Sequence, residues 1–266
     1  MPPLGYHSRF HLQDNRAILC DADQRRQVAR IVLEQGRPYG LLAFSFPDTH
    51  AHLLPRCDAR AANRLNQRIE SSLKQRLNLP VSFVSYPPEP IRTQSQLHNT
   101  VRYILTQHTR HDVMLDQFIE ATNIPDLVGM RLVGAYTRAN LAQAIPRLRR
   151  DTVLRWAGLT DLRPGDGPLS ALAAATRSAT ALSTLTGKSP LVLEAKRAMI
   201  DIIGPRLSGS DTAALLGISR RTVFALKHCP LNTALVEAIR LRLGYRQTGA
   251  GSALPCDKGD HFSHSI

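Results

Sequence analysis

Over roughly its first 108 residues the chain switches repeatedly between strand-length apolar runs and helix-length amphipathic stretches, and that order limits it to few folds. Strands are expected at 6–12, 39–46, 50–54 and 81–85, and helices at 21–35, 59–77 and 94–108. Asp21 or Asp23 can cap the first helix and Gly36 sits just past its end. Pro47-Asp48-Thr49 turns the chain, and Tyr86-Pro-Pro-Glu-Pro90 reads as a stiff loop. The order β-α-β-β-α-β-α predicts an α+β fold: a small antiparallel sheet with helices on one face, in a split-βαβ arrangement, over residues 1–118.

Beyond it the pattern becomes all-helical. Residues 119–186 read as a connector, with a basic stretch Arg147-Leu-Arg149-Arg150 and a Pro/Gly break at 162–168. Residues 187–246 read as a compact helical module and 247–266 as a disordered tail.

Charge points to the partner. Lys+Arg number 34 against 21 Asp+Glu, and the basic residues are spread through folded segments rather than gathered in a tail. A folded surface for nucleic acid is the first expectation, an anionic membrane surface the second. Cys20, Cys57, Cys229 and Cys256 make neither a C-x-x-C pair nor a zinc spacing, which suits unpaired thiols in a reducing cytoplasm. The start lacks an apolar signal core and no apolar run approaches membrane-spanning length, so no membrane partner is expected.

Two small patterns carry chemistry. His50 and His52, one apolar residue apart on an expected strand, point the same way because strand side chains alternate. Tyr103 and Gln107 stand four apart on an expected helix and share a face. Leu97, Val101, Ile104 and Leu105 form the core stripe of that helix, whereas Asn99, Tyr103, Gln107 and Arg110 form a polar stripe. Brought together, the pairs are three neutral metal ligands beside a phenol. A His-x-His pair alone is common, so the context decides.

In that context Phe44-Ser-Phe-Pro-Asp-Thr-His-Ala-His-Leu-Leu54 resembles the metal-binding strand of the single-tyrosine HUH transposases, including the REP-associated tyrosine transposases. Tyr103-Ile-Leu-Thr-Gln-His-Thr-Arg110 is similar to their nucleophile helix, and Tyr6-His7 resembles their first strand. The resemblance covers roughly residues 5–115. It implies His50, His52 and Gln107 as ligands of a divalent metal, magnesium or manganese, with Tyr103 as nucleophile and Arg102 and Arg110 near the DNA. Asp48 stands where that family often has Asn, and His108 replaces a frequent Pro. Another HUH enzyme, such as a plasmid relaxase or replication initiator, would share the chemistry; those families often carry a different histidine arrangement or a second tyrosine near the first, and Tyr103 has no tyrosine neighbour in the sequence.

In the C-terminal module, Ser210 to Leu226 resembles a bacterial helix-turn-helix: a helix ending at Gly217, a cap at Ser219, Val223 and Leu226 inward, and Arg220, Arg221, Thr222 and Lys227 toward DNA. Thr186-Gly-Lys-Ser189 lacks the first glycine of a phosphate loop and reads as a turn. The expected activity is metal-dependent cutting and joining of single-stranded or hairpin DNA through a 5′-phosphotyrosine, with duplex DNA as a further partner. A monomer or homodimer in a bacterial cytoplasm, nucleoid-associated when bound, would suit it. The competing expectation is a non-catalytic DNA-binding regulator with the same fold.

Overall fold

The computed structural model describes residues 2–247 apart from Cys20, Asp48, Asp112 and Val113, without the side chains of Arg110, His111 and Gln247. The tail at 248–266, Asp48 and the Arg110 side chain therefore lie outside the described residues. The fold is α+β: a five-stranded antiparallel sheet followed by helices.

Strand β1 (Gly5–Leu12) is the hub of the sheet. β3 (His50–Leu54) pairs along one side of it, and β2 (Ala43–Ser45) pairs with β3. On the other side, β4 (Phe83–Ser85) pairs with one end of β1 and β5 (Glu89–Ile91) with the other. The loop expected at Tyr86–Pro90 thus ends as a strand, with Pro90 opposite Tyr6; a sheet-edge position tolerates a residue that cannot donate. The strand expected at 39–46 is shorter because Arg37–Tyr39 forms a 3-10 turn that Gly40 closes in a left-handed conformation, φ 63°.

Alternation sorts the sheet residues. Phe10, Leu12, Phe44, Ala51 and Leu53 pack under α1 (Ala22–Gly36, capped by Asp21) and α2 (Ala59–Arg76, capped by Asp58). Their neighbours Ala43 and Leu54, with Ile91, pack instead with Leu97, Val101 and Ile104 of α3 (Gln94–Leu105), which crosses the opposite face. α3 stops at Leu105 rather than His108 because side chains take its last carbonyls. Thr106 Oγ1 donates to the Arg102 carbonyl and Gln107 Nε2 to that of Tyr103, each at 2.9 Å.

Short helices α4 (His108–His111), α5 (Leu115–Glu120), α6 (Ile124–Val128), α7 (Ala135–Ala144) and α8 (Arg150–Trp156) extend the core of the α3 face. That core runs without a break through residue 118 to Leu241 and Tyr245. Residues 121–123 close the outer edge of β2. Phe46 N–H donates to the Ala121 carbonyl, and the fully buried Asn123 accepts from Phe44 N–H (3.0 Å) and donates to the Leu42 carbonyl (2.9 Å). The segment is held by Arg131, itself fully buried, which binds the Asp126 carboxylate and the carbonyls of Glu120 and Thr122.

The remaining helices are α9 (Leu169–Thr180), α10 (Pro190–Ile203), α11 (Gly209–Leu216), α12 (Arg220–Lys227) and α13 (Thr233–Gln247). The Thr186–Ser189 segment is a turn, in which Ser189 caps α10. α13 belongs to two cores. Leu235, Ala238, Ile239 and Leu243 pack with α9 and α10, while Leu241 and Tyr245 enter the core under α3. Arg242, buried, ties it to the Met130 carbonyl (3.2 Å) and Glu120 (2.9 Å). The 162–168 segment runs over α13 so closely that a Cβ at Gly244 would meet the Arg163 carbonyl oxygen at 1.8 Å. Among the described residues no helix is long and apolar enough to cross a membrane.

Candidate functional site

The sheet face under α3 carries a run of polar side chains at its open end. Register puts Arg9 opposite His52 and His11 opposite His50, so residues 7, 9 and 11 of β1 share a face with both histidines of β3. α3 sets Tyr103 above them, half-buried against the core. The ring centroids of His50 and His52 are 4.7 Å apart, and that of Tyr103 is 5.3 Å from His52. Three of the expected residues therefore converge.

His7 joins them. Its Nε2 is 3.0 Å from His52 Nδ1 and its ring centroid 6.0 Å from that of Tyr103. Burial, then the neighbouring Arg9, lowers the His7 pKa to about 4, so the ring is neutral at pH 7. Of the two ring nitrogens, one donates and the other accepts. With Nδ1 of His52 engaged by His7, a cation would be met by Nε2 of His52. Only the first-strand similarity hinted at His7; the i, i+2, i+4 run His7, Arg9, His11 carried the signal.

A cleft of about 290 Å³ opens on this cluster, with His11, His50, His52, Tyr86 and Tyr103 in its lining. The Nδ1 of His11 is 2.8 Å from the Leu12 carbonyl and must be the donor, so its Nε2 accepts from the Tyr86 hydroxyl at 3.3 Å. Tyr86, half-exposed, thus shares a cleft with Tyr103 although seventeen positions separate them in sequence. Arg9 forms an ion pair with Glu89, and its guanidinium carbon is 5.4 Å from the Tyr86 ring centroid.

No protein family, curated protein or solved structure matches this chain. What the site can do rests on its own geometry.

Gln107 lies beyond the end of α3 rather than on a helical face with Tyr103. It is fully buried and its amide nitrogen binds the Tyr103 carbonyl, so the amide oxygen is its ligand-capable end. Among the described residues no group of three or more His, Cys, Asp or Glu side chains is arranged to hold a metal ion. The cleft that His50, His52 and Tyr103 line does not include Gln107, which is tied to the group through the Tyr103 carbonyl. By chemical type, two imidazoles and an amide oxygen are neutral donors that suit a divalent cation and would leave its charge for a phosphate. His108 packs its ring on Phe118, centroids 4.9 Å apart, and burial lowers its pKa; it serves the core.

Of the expected DNA contacts, Arg102 is exposed on α3 beside Tyr103. In the C-terminal region α11 ends at Gly217 with φ 60°, Ser219 caps α12, and Val223 and Leu226 pack on Ile200 and Ala213. Arg220, Arg221 and Lys227 are exposed on α12. Thr222 is half-buried, its backbone N–H and hydroxyl both within reach of the Ser219 cap.

Proposed function

We propose that the chain is a metal-dependent single-strand DNA endonuclease and strand transferase of the HUH type, with Tyr103 as nucleophile and His50, His52 and Gln107 as the metal-holding residues. One observation carries the reading: two strand histidines and a helix tyrosine from distant parts of a chain of formal charge +13 meet at one cleft. A phenol with a pKa near 10 attacks poorly at neutral pH unless the charge that develops on the phosphate is stabilised. A bound divalent ion supplies that stabilisation. Tyr103 Oη forms the new bond to phosphorus, the P–O3′ bond breaks, and the 3′-oxygen gains the proton the phenol gives up. A 5′-phosphotyrosyl link and a 3′-hydroxyl result. The link keeps the energy of the broken bond, so a second 3′-hydroxyl can reverse the step and join strands.

The test is an incubation of the full chain with single-stranded DNA from the flanks of its own gene and manganese or magnesium, run on denaturing gels. The expected result is a metal-dependent covalent adduct that Tyr103→Phe abolishes while DNA binding persists. An adduct that survives in Tyr103→Phe would move the nucleophile to Tyr86, which the same cleft presents.

A non-catalytic DNA-binding regulator is the second reading. It is favoured by the Gln107 amide, which closes the end of α3 and so has a structural role that needs no metal. On that reading exposed Arg220, Arg221 and Lys227 of α12 carry duplex binding, and no substrate or metal yields an adduct.

A further inference from the structure

A second, larger cleft adjoins the first. It measures about 550 Å³ and lies between α3, which contributes Asn99, Arg102 and Tyr103 with Thr106 just past its end, and α8, which contributes Arg155 and Trp156. Its size falls in the roughly 300–1,000 Å³ range of small-ligand sites. Tyr103 lines both clefts. A strand occupying both would lie alongside its ring.

The lining suits a nucleotide. Trp156 is only half-buried, and its ring makes a T-shaped contact with that of His98, centroids 5.2 Å apart. Arg102 and Arg155 are exposed at the rim, and Asn99 and Thr106 offer both donors and acceptors. An indole face with guanidinium groups beside it is what a sequence-tolerant single-strand site requires: stacking for the base, charge for the phosphate. The platform is also held in advance. Val153, Leu154 and Ala157 anchor α8 in the core, and Arg150 donates twice to the Val128 carbonyl, at 3.1 and 3.0 Å.

We infer that the α3–α8 cleft is a base-stacking subsite, in which Trp156 holds a nucleotide of single-stranded DNA next to the phosphate presented to Tyr103, with Arg155 and Arg102 on its backbone. The inference rests on the nuclease reading for its substrate class. Trp156 is the only tryptophan in the chain, so its fluorescence reports on this cleft alone.

The test uses full-length Tyr103→Phe protein in EDTA and a labelled oligothymidylate of about ten nucleotides, within the site sizes of single-strand binders. Saturable quenching of tryptophan emission is expected, with the dissociation constant that anisotropy gives. Trp156→Ala should weaken binding about tenfold or more, Trp156→Phe should recover most of it, and Arg155→Ala should lower the salt slope by about one. Binding by anisotropy with unchanged emission and an unaltered Trp156→Ala affinity would overturn the subsite, as would no binding at low salt. If Trp156→Ala does not fold, the quenching titration and Arg155→Ala decide. Neither metal nor nucleophile is present, so a missing covalent adduct in the nuclease test leaves this result standing, and the reverse holds equally.

Discussion

Replacing Asn123 by alanine removes two hydrogen bonds from the outer edge of β2 at once. Its carboxamide is fully buried and takes the place of a neighbouring strand: Oδ1 accepts from Phe44 N–H at 3.0 Å and Nδ2 donates to the Leu42 carbonyl at 2.9 Å. Alanine leaves both backbone groups buried and unpaired. Each orphaned group costs about 1–3 kcal/mol, so a loss of about 3–5 kcal/mol is expected from a total stability of about 5–15 kcal/mol. Asn123→Asp keeps the acceptor, loses the donor and buries a charge, so it should be no milder. Urea unfolding followed by far-UV circular dichroism and Trp156 fluorescence measures the change. With a denaturant slope of about 3 kcal/mol/M the midpoint should fall by about 1 M or more. β2 pairs with the strand that carries His50 and His52, so adduct formation should decline with the midpoint. A loss below about 1 kcal/mol with an unchanged slope would refute the idea that this side chain holds the edge.

Two further outcomes follow from the structure and a third from the proposed function. The His7 pKa of about 4 lies below its ordinary 6.5, so the unfolded chain binds the extra proton between those values; stability should be complete above pH 6.5 and fall by on the order of 3 kcal/mol as pH drops to 4 in EDTA, a dependence His7→Gln removes, and a flat profile would contradict it. Burial, then Asp58, raises the Cys57 thiol from 9.0 to about 11, so at pH 8 it should be alkylated about ten- to a hundredfold more slowly than free cysteine, as read by mass spectrometry. Arg220→Ala with Arg221→Ala should reduce duplex affinity at least tenfold at moderate salt without changing the unfolding midpoint, because both side chains are exposed; unchanged affinity would assign duplex binding elsewhere.

Local chemistry made part of this legible in the sequence. Asp21 caps α1 as expected, although Gly36 is its last residue, right-handed, and the left-handed glycine is Gly40; the i, i+2 spacing of His50 and His52 sets both on one strand face. Gly217 and Ser219 fix the turn between α11 and α12 in the same way. What joins distant segments was not legible. Register alone sets Arg9 against His52 and brings His7 to it, and spacing within a strand does not encode its partner. The end of α3 depends on two side chains bonding back to carbonyls, which no periodicity of apolar residues reports. Tyr86 reaches the cleft of Tyr103 only because β4 pairs with β1 and the Tyr86 N–H donates to the Arg9 carbonyl, and Trp156 only because α8 docks beside α3. The last strand ends at Ile91, and packing continues across the change in composition near residue 118.

The double anchoring of α13 has a consequence for any DNA that touches both ends of the molecule. Its middle lies against α9 and α10, α12 rests on α10, and the end of α13 is fixed in the core that α3 shares by Leu241 and Tyr245, with Arg242 bonded to Glu120 of α5 and to the Met130 carbonyl. A helix keeps its length, about 1.5 Å per residue, so it acts as a ruler between the surface of α12 and the ring of Tyr103. If the first reads a duplex and the second cuts its unpaired flank, the cut falls a constant number of nucleotides from the sequence read. Mapping cleavage on substrates whose spacer is lengthened one nucleotide at a time would show a fixed offset for such a ruler, and a drifting one for two halves on a tether.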